Sequence, residues 1–128
     1  MSSRTIHMLM INDNSFITDL DRHSYKSMGI KVHLVSTIED AERVIHQKPI
    51  DLMIFNTEYQ DVQATDLIYH FKKSVFKCNL PIVVVGVQND LFKQERYIQL
   101  GADLFIEQPV PHDYFVDSIK ELLSLKRR

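Results

Sequence analysis

The sequence lacks most features that would place a protein in a specialised class. Its one cysteine, Cys78, excludes an internal disulfide and favours a reducing compartment. No apolar run approaches the roughly 18 residues of a membrane helix, and the first residues lack the apolar core of a secretory signal. The formal net charge of −2 provides neither a basic field for nucleic acid nor an acidic tail. We therefore expect a cytoplasmic protein that binds neither membranes nor nucleic acid.

The chain does contain enough apolar residues for an ordinary globular core. Its 128 residues, 45% of them apolar, predict a single domain over residues 1–128. The most informative stretch is residues 51–56, an apolar run that is too short for a helix and predicts a strand buried on both faces. In an open α/β sheet, chemistry takes place beyond the carboxyl ends of the strands. Asn56 therefore occupies a position where a reacting group is expected.

Strand-like and helix-like segments alternate along the whole chain. Apolar runs predict further strands at residues 6–11, 32–35, 82–86 and 104–106. One-sided apolar patterns predict five helices. The residues from Ser36 to Glu39 match a capping box at the start of the second helix. The fourth helix, at about residues 89–100, has a thin apolar face. This alternation predicts a doubly wound, five-stranded parallel sheet of order 2-1-3-4-5, flanked by five helices.

An ordered set of short motifs accompanies these segments. They are Asn12-Asp13 after the first strand, Asn56 at the end of the third, Leu80-Pro81 before the fourth, and Gly101-Ala102-Asp103 with Phe105 before Gln108-Pro109. In their order and spacing, they resemble the response-regulator receiver domain (CheY-like) over essentially the whole chain. The resemblance implies a flavodoxin-like fold and a role in bacterial two-component signal transduction.

The family's phosphotransfer chemistry uses five positions. Two acids after the first strand hold magnesium, an aspartate ending the third strand accepts the phosphoryl group, a Thr or Ser ending the fourth strand senses it, and a lysine after the fifth strand pairs with it. The matching residues here are Asn12, Asp13, Asn56, Gly86 and Gln108. Only Asp13 keeps the family's residue type. The resemblance is therefore to a degenerate pseudo-receiver, which has the fold without the phosphorelay.

The chemistry of these side chains agrees with that interpretation. The amide of Asn56 is no anionic nucleophile, Gly86 has no hydroxyl, and Gln108 has no charge to pair with phosphate. Magnesium prefers carboxylates together with substrate phosphates. Asp13 alone is a poor site, and Glu58 adds only a weak candidate ligand. We therefore expect no catalysis, no cofactor and no bound metal.

Aromatic residues near the last three elements predict a binding surface for another protein. Phe105 occupies the family's switch-aromatic position, while Phe92, Tyr97 and Tyr114 lie on or near the fourth and fifth helices. Aromatic side chains are enriched in binding hot spots, and Tyr97 is the hypothesised anchor; core packing of at least two of these rings is the alternative. We expect another signalling protein to bind through helix 4, strand 5 and helix 5. The sequence leaves homodimerisation open.

Other functions fit parts of the pattern. The crevice at the strand ends could serve a small-ligand or ion sensor, or the domain could be phosphorylated at a displaced acceptor. A flavodoxin-like electron carrier is disfavoured, because residues 12–16 lack the Ser, Thr and Gly of a phosphate cradle. The six histidines show no ligand spacing, so surface or hydrogen-bonded positions are expected rather than a zinc site (His7, His23, His33, His46, His70 and His112).

Overall fold

The computed structural model describes residues 5–11, 19–56, 64–73, 79–86, 91–107 and 111–126. The described elements alternate throughout, in the order β1 (Ile6–Ile11), α1 (Asp19–Ser27), β2 (Ile30–Val35), α2 (Ile38–Gln47), β3 (Leu52–Asn56), α3 (Ala64–Lys73), β4 (Ile82–Gly86), α4 (Leu91–Leu100), β5 (Leu104–Glu107) and α5 (His112–Lys126). The strands form one parallel sheet in the order β2-β1-β3-β4-β5. The predicted fold is confirmed.

The sheet is covered on both faces, as the continuous apolar runs predict for parallel strands. Successive residues of a strand point to opposite faces. Met8, Met10 and their neighbours pack with α1 and α5, whereas Leu9 and Ile11 face the layer that contains α2, α3 and α4. The large ring of Tyr25, on α1, is completely enclosed in the first layer. The strand ends are therefore held between two packed layers.

Several element boundaries differ from the sequence-based expectation. β3 begins at Leu52 rather than residue 51, and β5 ends at Glu107 rather than residue 106. β2 begins at Ile30 rather than residue 32, because Gly29 reverses the chain at a φ of 88° and leaves Ile30 paired with Ile6. The N-cap of α2 is Thr37, whose Oγ1 accepts a 3.0 Å hydrogen bond from the Asp40 amide. The capping box predicted from Ser36 to Glu39 is therefore wrong by one position.

Candidate functional site

The central strands end side by side at the carboxyl edge of the sheet. Asn56 is the last residue of β3 and pairs with Val85 of β4, and Gly86 ends β4 immediately afterwards. β1 lies on the other side of β3 and ends one residue beyond the Met10–Ile54 pair. Positions 56 and 86, predicted from sequence to share a pocket, are thus brought together by strand pairing.

Part of the predicted pocket falls outside the described residues. This is so for Asn12, Asp13, Gln108 and the weak metal candidate Glu58, and for the side chain of Asn56. Gly86 is described and buried. At this edge of the sheet, β4 therefore ends in Gly86, which has no hydroxyl, and the neighbouring β3 ends in the amide residue Asn56.

The predicted switch aromatic is packed against α4. The ring of Phe105, on β5, is half-buried and stacks on Tyr97 with centroids 6.0 Å apart and an interplanar angle of 13°. Tyr97 itself is only 9% exposed and belongs to the core layer under α3 and α4. The expectation that Tyr97 is an exposed binding anchor is therefore wrong, because β5 and the core cover its ring.

The other two candidate aromatics differ in what the structure shows. Phe92 lies within α4, and its side chain is outside the described residues. Tyr114, in the first turn of α5, is 61% exposed. Tyr114 therefore remains available as a contact residue on this side of the domain.

At the opposite, amino edge of the sheet, two aspartates each join neighbouring strands. The Asp51 carboxylate accepts a 2.8 Å hydrogen bond from the His7 amide, while the Asp51 amide donates at 2.8 Å to the His7 carbonyl. Asp103 does the same with Ile82, accepting at 2.9 Å and donating at 2.8 Å. Neither residue was given a role from the sequence, although each directly precedes a strand.

Asp103 also orders the loop before β5. Its carboxylate lies 3.5 Å from the Lys72 ammonium, which donates a 3.0 Å hydrogen bond to the Leu80 carbonyl. Gly101, at a φ of 126°, brings its backbone so near that a Cβ there would lie 3.1 Å from Lys72 Cγ. The Gly101-Ala102-Asp103 motif thus has a structural explanation at the amino edge, away from the predicted pocket.

Two histidines are in direct contact. His7 Nδ1 and His33 Nε2 are 3.0 Å apart, and the two ring planes are inclined by 23° with centroids 5.2 Å apart. His7 and His33 thus occupy hydrogen-bonded positions, one of the two kinds of position expected for the histidines. Within the described ranges, however, no three His, Cys, Asp or Glu side chains are grouped so as to hold a metal.

No described helix is both long enough and apolar enough to cross a bilayer.

Comparisons with known proteins agree with this architecture. The family model described as the response regulator receiver domain matches residues 8–120. Over 121 residues, the chain is 27% identical to the DNA-binding transcriptional regulator NtrC of Bradyrhizobium sp. (strain RP501 Parasponia). That match covers 94% of this chain but only 23% of the relative, so the chain spans less than a quarter of the curated protein.

Solved structures with the same fold have low sequence identity. A CheY-like receiver domain from Methanospirillum hungatei JF-1 superposes with a TM-score of 0.77 at 21% identity, over 96% of this chain and 97% of the other. The non-phosphorylated HemR receiver domain from Leptospira biflexa gives 0.75 at 21% identity, over 94% and 95%. At such identities, the likeness is one of fold.

Proposed function

Because the chain belongs to the response regulator receiver domain family, we propose that it is a pseudo-receiver, which accepts no phosphoryl group and acts by binding another protein. The observation that carries this proposal is the residue at the end of β3. Asn56 occupies that position, where the family resemblance places the phosphoacceptor aspartate. Gly86 lies next along the same edge, where the family has a hydroxyl.

The proposed loss of phosphotransfer follows from the chemistry of these groups. A carboxylate attacks phosphorus as an anion, whereas the nitrogen lone pair of an amide is delocalised into its carbonyl. A glycine donates no side-chain hydrogen bond to a phosphoryl oxygen, and the neutral Gln108 cannot replace a lysine. With several contributions missing at once, neither the transition state nor an acyl-phosphate product is stabilised.

We expect no covalent phosphorylation of this domain. After incubation with acetyl phosphate and magnesium, intact-mass spectrometry should show the unmodified mass, because Asn56 provides no anionic oxygen. The triple variant Asn12→Asp, Asn56→Asp, Gln108→Lys restores the family's residue types at three positions and is the matched positive control. A stable increment of one phosphoryl group on the unsubstituted chain would contradict the proposal.

We place the proposed partner site on the α4–β5–α5 surface. β5 is an edge strand, and α4 and α5 flank it from opposite faces of the sheet. Each helix presents a large apolar side chain to solvent, Ile98 with 47% exposure and Tyr114 with 61%. Of the described aromatic side chains on this surface, Tyr114 is the exposed one. Exposed aromatics of this kind are frequent binding hot spots.

Recognition by this surface is proposed to be constitutive. A ligand or modification shifts a conformational equilibrium only if it interacts differently with the two states. Gly86 offers no side chain through which a phosphoryl group could act, and Phe105 is already stacked on Tyr97. In this proposal, the α4–β5–α5 surface keeps one arrangement and its affinity is fixed.

The surface assignment predicts different effects for two exposed tyrosines. With the domain as bait in a lysate of its native cell, Tyr114→Ala should lower recovery of the specific partner by about tenfold, a loss of about 1–2 kcal/mol. Tyr69→Ala, on α3, is the matched control, because Tyr69 is 58% exposed but lies outside the surface. Quantitative mass spectrometry measures both recoveries. Equal recovery with the two variants would place the partner site elsewhere.

A further inference from the structure

The contact between His7 and His33 crosses the two strands at one end of the sheet. His33 pairs with Leu9 in the ladder, so His7 lies two residues earlier on β1 and projects from the same face. Both rings are half-buried, and their facing nitrogens are 3.0 Å apart. The two rings therefore make a specific link between β1 and β2, in addition to the main-chain ladder.

This distance limits the number of protons that the pair can hold. At 3.0 Å, one ring nitrogen donates and the other accepts through its lone pair. That is satisfied when both rings are neutral or when one is charged. When both are charged, all four ring nitrogens are donors, so two N–H groups and two positive charges would face each other. With the rings in this arrangement, the pair thus binds at most one proton more than two neutral imidazoles carry.

We propose that the His7–His33 pair is a pH-sensitive latch, which joins β1 to β2 near neutrality and opens when the second ring is protonated. β2 is the strand that responds, because among the described strands it lies at the edge of the sheet and pairs with β1 alone. This device is independent of the proposed loss of phosphotransfer. It would make the β2 edge of the sheet, which lies opposite the β5 edge and the α4–β5–α5 surface, responsive to acidification without a phosphoryl group.

Charged and titratable neighbours surround the pair. Lys31 pairs with His7 on the same face and opposes further positive charge, whereas the Asp51 carboxylate beside the His7 amide favours it. α2 packs on this face and carries His46 in its last turn. Its remaining ionisable side chains are Glu39, the ion-paired Asp40 and Arg43, and Glu42, which bonds to His70 of α3.

The direction of the pH effect follows from proton counting. In the open or unfolded chain, two independent imidazoles both become protonated below about pH 6.5. The closed pair binds one proton fewer, so closure is favoured at higher pH and is lost as the pH falls. Because the open state binds one more proton, the equilibrium constant for opening rises about tenfold for each unit by which the pH falls.

Native-state amide hydrogen exchange of β2 tests the latch. Protection factors, corrected for intrinsic exchange rates, are measured at about pH 7.5 and about pH 5.5, which bracket imidazole titration. In the unsubstituted domain, β2 protection should fall by about tenfold per pH unit below pH 6.5, and His33→Gln should remove this dependence. His23→Gln, an exposed histidine on α1, should leave it as in the unsubstituted domain.

A second measurement keeps the test decisive should His33→Gln fold poorly. His7→Gln breaks the same contact from β1, and nitrogen NMR of the unsubstituted domain follows the two rings directly. The latch predicts that uptake of the second proton coincides with loss of β2 protection. Independent titration of both rings with β2 still protected would overturn it, as would an unchanged pH dependence in a folded His33→Gln or His7→Gln variant.

Discussion

Replacing Tyr97 by alanine is expected to lower the free energy of unfolding by about 3 kcal/mol. The ring is 9% exposed and stacks on Phe105 at a centroid distance of 6.0 Å. Truncation removes that stacking and leaves a cavity between α4 and β5, because well-packed surroundings relax only partly. Urea unfolding followed by circular dichroism measures the change.

Tyr114→Ala is the matched control for this substitution. Tyr114 is 61% exposed, so its removal should change the free energy of unfolding by no more than about 0.5 kcal/mol. Together the two variants separate a tyrosine that stabilises the fold from one that is available to a partner. Unfolding free energies that are alike for Tyr97→Ala and Tyr114→Ala would show that the Tyr97 ring is not part of the core.

Asp103→Ala is expected to cost about 2–3 kcal/mol of stability, because it leaves a buried main-chain donor without its acceptor. The carboxylate accepts a 2.9 Å hydrogen bond from the amide of Ile82, which is completely buried. It also lies 3.5 Å from the Lys72 ammonium. Loss of the carboxylate therefore affects the start of β4 and the loop before β5 together.

Two further variants divide this cost between its causes. Asp103→Asn keeps an acceptor oxygen for Ile82 and removes only the charge near Lys72, so it should cost less than Asp103→Ala. Asp117→Ala removes an exposed carboxylate from α5 and should change stability by no more than about 0.5 kcal/mol. If chemical denaturation gives Asp103→Ala and Asp117→Ala the same stability, the bond to Ile82 contributes nothing.

The strands were predictable because parallel strands are buried on both faces. Their sequences are nearly continuous apolar runs, and the predicted bounds of β1 and β4 match the structure. The carboxyl-terminal ends of α1 and α4 could also be predicted, because Gly29 and Gly101 follow them. Both have positive φ, a conformation that side chains disfavour and that glycine adopts without strain. Local periodicity and local backbone chemistry were sufficient for these features.

The contacts that decide side-chain roles were not predictable in the same way. His7 contacts His33, which is 26 positions away in the sequence, and Asp51, which is 44 positions away. Both contacts depend on a strand register that no local pattern specifies. Tyr97 lies in the helix that was predicted to have a thin apolar face, and part of its burial comes from Phe105 on the next strand. The pocket prediction rests on residue identity, since a missing carboxylate can be read without knowing its neighbours.

The paired hydrogen bonds of Asp51 and Asp103 lie at the end of the sheet opposite the predicted pocket. Each aspartate aligns two adjacent strands through main-chain groups at the amino edge. A five-residue strand rises about 3.3 Å per residue, so this alignment is set about 16 Å from the carboxyl edge. We therefore expect substitutions at the carboxyl edge to leave strand alignment intact. The side chains at the carboxyl edge can then change in chemistry while the hydrogen bonds at the amino edge keep the strands aligned.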